Sequence, residues 1–244
     1  MPNHTSQILA VSTFANDTVI FKDSGRVEKC RGGPGFWIKR EFDRLQVPHH
    51  FLLGTHETSV EVEIVHGEIL PGKNITHGSR ILVRQPGRYD GILINILDEF
   101  DLTQISKLEG AVVLDIANYT RGGPFNQERR MAQMPPLEIR RRIDILKANH
   151  EELPYVPQAW RDEQMNERTL LHTLGPSGLD LWCRGRLTHF DAPPIKPKNA
   201  LGAGDTLGAA FLAFYLMSGG DVLVACRDAL LEVEQLFREK EHGR

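Results

Sequence analysis

Hydrophobic and polar positions alternate between two periods along this chain, and most of the elements can be read from that alternation. Ile8 to Phe14 is a continuous apolar run, read as a buried first strand. Thr18 to Lys22 and Arg26 to Cys30 flank a turn at Asp23-Ser24-Gly25 and predict a β-hairpin. Phe36, Ile38, Phe42 and Leu45 fall at helical spacing after Pro34, which suits a first helical turn. His50 to Leu53 and Ser59 to Val65 read as strands. In the latter, Val60, Val62 and Ile64 alternate with Glu61 and Glu63, so one face is expected to be wet. Further strands are expected at Ile81 to Arg84, Gly91 to Leu97, Ala111 to Ile116, Ile143 to Ala148, Leu170 to Leu174 and Leu179 to Cys183, with a short polar-faced helix over Asp98 to Leu108. Asp205 to Ser218 is predicted as an apolar helix ended by Gly219-Gly220, and Asp221 as the cap of a last helix reaching about Lys240.

This order of strands and helices argues an α/β fold: a three-layer sandwich with a mostly parallel central sheet, laid out as a single domain over residues 1–244. The hairpin at about 18–30 and the strand at about 59–66 are expected to form a small β lid. Composition does not change that picture. Of the 244 residues, 41% are hydrophobic and 25% charged, as in an ordinary globular chain. A net charge of −3 makes no general case for nucleic acid. The basic stretch with Arg129, Arg130, Arg140, Arg141 and Arg142 has no interleaved aromatics and is read as a solvated helix face. Three distant cysteines form no C-x-x-C pair, which suits a reducing, cytoplasmic setting. No apolar run approaches membrane-spanning length.

The chemistry concentrates at Asn199-Ala200-Leu201-Gly202-Ala203-Gly204-Asp205-Thr206, where a polar loop becomes the apolar helix. The first backbone N–H groups of a helix lack internal acceptors and sit at its positive end. Two glycines let a phosphate approach them, and Asp205 sets a carboxylate beside that anion site, within reach of an acceptor hydroxyl. A bare G-x-G-D also describes a simple turn with a helix cap. Asp17 reads equally as a turn residue or as a carboxylate at a strand end facing a crevice. Asn149 and Glu152, at the end of the Ile143 strand, read either as an N-cap with an acidic first turn or as hard oxygen ligands. Arg121 reads as a solvated loop arginine or as a contact to substrate. No G-x-x-x-x-G-K-[ST], G-x-S-x-G or zinc signature occurs.

Gly202-Ala203-Gly204-Asp205-Thr206, followed by an Ala-rich helix with Phe211, resembles the C-terminal signature of ribokinase-like (PfkB) carbohydrate kinases. The family often has Asp-Thr where this chain has Asn199 and Ala200. Other elements match in order: Asp17 after the first strand, the Gly32-Gly33 pair after the lid hairpin, Asn149-x-x-Glu152, and the Thr173-Leu174-Gly175-x-x-Gly178 turn. The family's longer lid insertion and its Gly-Asp-Asp-x-x-Gly turn are missing.

The resemblance implies a phosphotransferase that uses ATP and Mg²⁺ on a small molecule's hydroxyl. Asp205 is then the base, and Gly202, Ala203 and Gly204 the anion hole. Asp17, Gly32 and Gly33 hold the acceptor. Asn149 and Glu152 hold magnesium through water, and Thr173, Gly175 and Gly178 border the nucleotide. The Asp115-to-Arg121 loop is similar to one in the inositol-type branch, which implies that Arg121 contacts substrate or phosphate and favours a sugar or polyol. A nucleoside or vitamin-precursor acceptor, or a non-catalytic binding protein on the same fold, stays open. Pairing of lid sheets in the family implies a possible homodimer.

Overall fold

The computed structural model describes residues 7–54, 58–66, 68–69, 73–76, 80–97, 99–123, 126–195 and 199–241. In chain order its strands are β1 (Ile8–Ser12), β2 (Ala15–Phe21), β3 (Arg26–Gly32), β4 (His49–Leu52), β5 (Thr58–Val65), β6 (Glu68–Ile69), β7 (Lys73–Thr76), β8 (Gly87–Asn95), β9 (Leu108–Asp115), β10 (Arg121–Gly123), β11 (Asn126–Arg129), β12 (Ile145–Asn149), β13 (Thr169–Thr173), β14 (Leu179–Cys183) and β15 (Arg186–Phe190). The helices are α1 (Gly33–Arg44), α2 (Leu137–Arg140), α3 (Gln158–Glu167), α4 (Ala203–Met217) and α5 (Val222–Glu241).

The central sheet has eight strands in the order β15-β14-β13-β12-β9-β8-β1-β4. From β4 to β13 every neighbour pair is parallel, and β14 and β15 return antiparallel. The unbroken apolar text of these strands follows from burial on both faces. Ile8 and Ala10 of β1, with Leu93, Val113, Ile145 and Leu171, face Ile38 and Phe42 of α1, Phe211 and Leu212 of α4, and Ala229 and Val233 of α5. Leu9 and Val11, with Ile92, Ile94, Val112, Leu114 and Leu170, face Phe100, Ile105, Ile139, Val156 and Trp160. Two cores on opposite faces of one sheet make three layers.

A second sheet, β3-β2-β5-β6 with β7 on β5, stands apart from the first. Its main strands run over 15–32, longer than the expected hairpin at 18–30, and over 58–65, one residue earlier than the expected 59–66. β2 and β5 are parallel, and buried and half-buried residues alternate strictly along β5.

Three local expectations change. The strand at Ile81 to Arg84 is absent. Ile81 and Val83 are buried, but their backbone is bonded by a neighbouring side chain: Val83 N donates to Gln104 Oε1 (2.7 Å) and Gln104 Nε2 to the Ile81 carbonyl (3.1 Å). With its polar groups satisfied there, the segment has no need of a strand partner. The helix expected over 98–108 is a 3₁₀ segment, Leu102–Lys107. It starts one residue after Asp101, whose Oδ1 accepts from Thr103 N (2.9 Å); Asp98 lies outside the described residues.

The basic stretch is not a solvated helix face. Arg140 pairs with Glu163 (3.0 Å), Arg142 donates to the Leu108 carbonyl (2.6 Å), and among the described residues of the stretch only Leu137–Arg140 is helical. Helix α3 carries only Trp160 and Gln164 as buried residues, too weak a stripe to be picked out by period.

Candidate active site

The cavity lies at the C-terminal ends of the parallel strands, where open α/β sheets place ligands. It has a volume of about 1060 Å³. Asn95 ends β8, Asp115 ends β9, Asn149 ends β12 with Lys147 two residues before it, and Thr173 ends β13; the first turn of α4 closes over them. Val60 and Val62 of the small sheet and Leu97 supply apolar wall on one side.

Asp205 sits in the first turn of α4, half-buried in the wall. Its Oδ1 accepts from Asn95 Nδ2 at 2.8 Å, and the same amide lies 3.4 Å from Asp115 Oδ2. Asp115 Oδ2 also takes Lys147 Nζ at 2.6 Å, both side chains being almost fully buried. Burial raises the Asp205 carboxyl above its ordinary value and Asp115 adds to that, while Lys147, the Asn95 amide and Arg121 oppose it. For Lys147 burial acts against the ammonium, but Asp115 and Glu152 outweigh it and hold its pKa up. Gly204 lies close to this lysine: a Cβ there would stand a tight 3.3 Å from Lys147 Nζ.

The backbone at 202–204 is not uniform. Gly202 is left-handed (φ 80°), and a Cβ on it would overlap the Trp37 indole; it is packed away from the cavity. The Ala203 N–H is taken by the Ala200 carbonyl (3.0 Å). The N–H groups of Gly204 and Asp205 lie in the first turn, where a helix supplies no acceptor of its own.

Asp17 is 4% exposed. Its Oδ2 accepts from Gly33 N at 3.4 Å, and its Oδ1 is buried with no hydrogen-bond partner among the described residues. Burial pushes its carboxyl up to about 6, against the pull of the Gly33 N–H and with a push from Asp205. Gly33 (φ 72°) faces the cavity, whereas Gly32 lies behind Asp17: any side chain on it would overlap that carboxylate. The two glycines therefore differ in role, one lining the space and one making room for Asp17.

Asn149 and Glu152 are locked to each other. Asn149 Oδ1 accepts from the N–H groups of Glu151 (2.9 Å) and Glu152 (2.8 Å), and Glu152 Oε2 accepts from Asn149 N (2.9 Å). The reciprocal bonds have the pattern of a capping box, but Asn149 caps no helix: a turn follows it, then the short 3₁₀ segment Leu153–Tyr155 with Glu152 as N-cap, and both side chains line the cavity. Burial raises the Glu152 carboxyl and Asp115 adds to it; Lys147, the Asn149 N–H and Arg129 oppose. Arg121 is half-buried in the cavity wall rather than solvated. Burial draws its guanidinium down, with Arg129 in the same direction and Glu152, Asp115 and Asp205 against.

Thr173, Gly175 and Gly178 line the far end. Gly178 (φ 95°) closes the turn by giving its carbonyl to Leu174 N (2.8 Å), and a Cβ on it would overlap the Phe190 carbonyl. Ile195, Leu230, Val233 and Phe237 complete an apolar wall there. Asn95 and Lys147 are site residues that sequence reasoning passed over. The signal available was a polar residue closing or interrupting an apolar strand (Gly91-Ile92-Leu93-Ile94-Asn95, and Ile145-Leu146-Lys147).

Five carboxylates in the wall (Asp17, Asp115, Glu152, Asp191 and Asp205) stand against two cations, Lys147 and Arg121. That excess of negative charge fits an added divalent cation. Among the described residues no three His, Cys, Asp or Glu side chains converge as a direct metal cage. No helix among the described residues is long and apolar enough to cross a membrane.

A doubly covered parallel sheet, a cavity at its C-terminal edge under a glycine-led helix start, and a small accessory sheet together define the ribokinase-like fold. Solved structures of that fold align with nearly the whole chain. A pyrophosphate-dependent kinase in the ribokinase family, complexed with a pyrophosphate analog and myo-inositol, has a TM-score of 0.74 at 17% identity, covering 95% of each chain. Arabidopsis thaliana ribokinase complexed with ribose and ATP has a TM-score of 0.69 at 16% identity, covering 96% of this chain and 93% of that one. Fructokinase from Vibrio cholerae O395 has a TM-score of 0.66 at 14% identity, covering 96% and 99%. No protein-family model matches the sequence, and no curated protein matches it.

Proposed function

We propose that this chain is a kinase that transfers a phosphoryl group from ATP to a hydroxyl of a small sugar or polyol, with Asp205 as the base. The observation that carries the reading is Asp205 itself. Its carboxylate is held at 2.8 Å by Asn95, in the first turn of α4, in a cavity it shares with Arg121 and Lys147. Charge develops on the transferring group during phosphoryl transfer, and a helix start with two nearby cations is suited to stabilise it. Asp205 takes the acceptor proton as the new O–P bond forms and the bond from phosphorus to the leaving ADP oxygen breaks. The raised carboxyl of Asp205 brings its basicity toward neutral pH.

Asp17 is suited to orient the acceptor. Its buried, unpartnered Oδ1 calls for a hydrogen-bond donor, and a substrate hydroxyl supplies one. Gly33 allows close approach beside it, with Gly32 giving Asp17 its space. The small sheet acts as the lid of one domain, its Val60 and Val62 excluding water over the acceptor, and pairing of two such sheets is the route to a homodimer. Magnesium fits through water at Asn149 and Glu152, where it supplies charge neutralisation to the phosphates. Thr173, Gly175 and Gly178 border the nucleotide phosphates, and the apolar wall of Ile195, Leu230, Val233 and Phe237 suits a purine base.

Pyrophosphate is a second phosphoryl-donor reading. The neighbour complexed with a pyrophosphate analog motivates it, and Arg121 and Lys147, which line the cavity, suit the phosphates of either phosphoryl donor. The test is phosphoryl transfer from ATP and from pyrophosphate, with Mg²⁺, across sugars, inositols and nucleosides. The parent turns over with one acceptor class. Asp205→Asn binds the phosphoryl donor as the parent does and loses turnover by about 10²–10⁴-fold. Parent-rate turnover in Asp205→Asn removes Asp205 as the base. Acceptor binding without transfer from either phosphoryl donor would make the protein a binding protein.

A further inference from the structure

The turn that leads into α4 is held from outside the cavity by the last turn of α5. Lys240 Nζ donates to Asn199 Oδ1 (2.9 Å), to the Leu201 carbonyl (2.5 Å) and, more weakly, to the Asn199 carbonyl (3.4 Å). An ammonium has three donors, and all three are used. The same Nζ stands 4.9 Å over the Trp37 ring, and that ring packs on Gly202, where no side chain fits. Arg40 also approaches the Trp37 ring, at 5.7 Å, and pairs with Glu239. Among the described residues no carboxylate pairs with Lys240; its partners are neutral oxygens and a π face. Burial draws its ammonium down to about 8, Arg40 adds to this, and Asp205 opposes.

A half-buried ammonium without a counter-ion is a costly way to fill space. Methionine has similar bulk and carries no such cost. What the charge adds is a direction. In a trans peptide C=O and N–H point oppositely. A cation that gathers the carbonyls of Asn199 and Leu201 turns the N–H groups of Ala200 and Gly202 away from itself. Ala200, Leu201, Ala203 and Gly204 line the cavity on the other side of this turn.

We propose that Lys240 is a positioning residue for the anion site: its ammonium orients the 199–201 turn, so that the start of α4 presents its N–H groups and Asp205 to the transferring phosphate. The proposal rests on the kinase reading, and its test keeps the two apart by measuring phosphate binding as well as turnover.

Lys240→Met, Lys240→Gln and Lys240→Ala are compared with the parent in the full chain. The readouts are melting, ATP and pyrophosphate binding by calorimetry, and steady-state kinetics with and without ammonium chloride; tetramethylammonium chloride is the ionic-strength control. Lys240→Met is expected to stay folded, to keep acceptor KM within about twofold, and to lose kcat and phosphate affinity tenfold or more. In Lys240→Ala, whose truncation leaves the ammonium's place open, ammonium is expected to restore several-fold of the loss by re-entering the oxygen set, and tetramethylammonium to restore none. Lys240→Gln, which keeps hydrogen bonds without charge, is expected to fall between Lys240→Met and the parent. Unchanged kcat and phosphate affinity in Lys240→Met overturns the proposal. So does a loss in Lys240→Ala that ammonium leaves untouched, or failure of every variant to fold, which makes Lys240 a purely structural lysine. A parent that binds phosphates but transfers none refutes the kinase reading while the binding arm still decides Lys240. A parent that binds none overturns both.

Discussion

Burial raises the Asp17 carboxyl from an ordinary 3.8 to about 6, and the sign of the consequence differs for stability and for binding. An acid with a folded pKa above its unfolded one weakens the fold wherever it is ionised. The penalty is therefore full above pH 6 and fades toward pH 4. At about 1.4 kcal/mol per pH unit of difference, it is on the order of 3 kcal/mol. Asp17→Asn should raise the unfolding free energy at pH 8 by that order and by nothing at pH 3.5, as denaturant melts at the two pH values would show. Acceptor binding runs the other way, because the proposed contact needs the ionised form. KM for the acceptor should climb up to tenfold per pH unit below 6 in the parent, and stay flat, though weaker, in Asp17→Asn.

At the same scale, the place of Asp205, Asn149 and Glu152 in the cavity wall was legible because each belongs to a local pattern, a G-x-G-D and an N-x-x-E. Asn95 and Lys147 were not. Each is a single polar residue, and each acquires meaning only when β8, β9 and β12 become neighbours.

The element that decides the site is the start of α4. Its Gly202 serves the fold twice, by adopting φ 80° and by leaving room for the Trp37 ring. Gly202→Ala meets both penalties, for roughly 2 kcal/mol or more. Calorimetric melting should fall by about 4–8 °C, with kcat reduced more than acceptor KM because the displaced turn carries the anion site.

Helices and strands with strong periods were read correctly from the pattern. The failures have physical causes. Ile81 and Val83 alternate like a strand but are served by Gln104. Residues 102–107 close as a 3₁₀ turn because Asp101 caps them late. Gly32 and Gly33 form one motif in sequence and do two different jobs, which only the position of Asp17 reveals.

For the whole molecule, the alternation of strands and helices announced a three-layer fold, and the hairpin with its acidic-faced strand announced a second sheet. The order β15-β14-β13-β12-β9-β8-β1-β4 was not legible, since strand neighbours depend on crossovers that no local pattern records. The cavity is the place where these layers meet, so ligand binding should be felt by all of them. At a concentration about 100 times its Kd, ATP should stabilise the folded chain by about 2.7 kcal/mol. For a chain of this size that is a rise of roughly 5–10 °C in melting temperature, read by scanning calorimetry. Under the pyrophosphate reading, the same shift appears with pyrophosphate instead.

The strand ends also act as a ruler. Asn95, Asp115, Lys147 and Thr173 stand on four consecutive strands. Neighbouring strands are spaced by about 4.8 Å. From the strand of the amide that grips the base to the strand of the threonine is therefore three steps, roughly 14 Å across the sheet, and Thr173, level with Asn149 rather than Lys147, stands two residues further along. The distance across the sheet is set by backbone hydrogen bonding alone and no side-chain substitution can stretch it. A molecule that reaches both ends must be extended across the sheet, and variants that change which acceptor or phosphoryl donor is used must do so by altering the walls, because the scale beneath them is rigid.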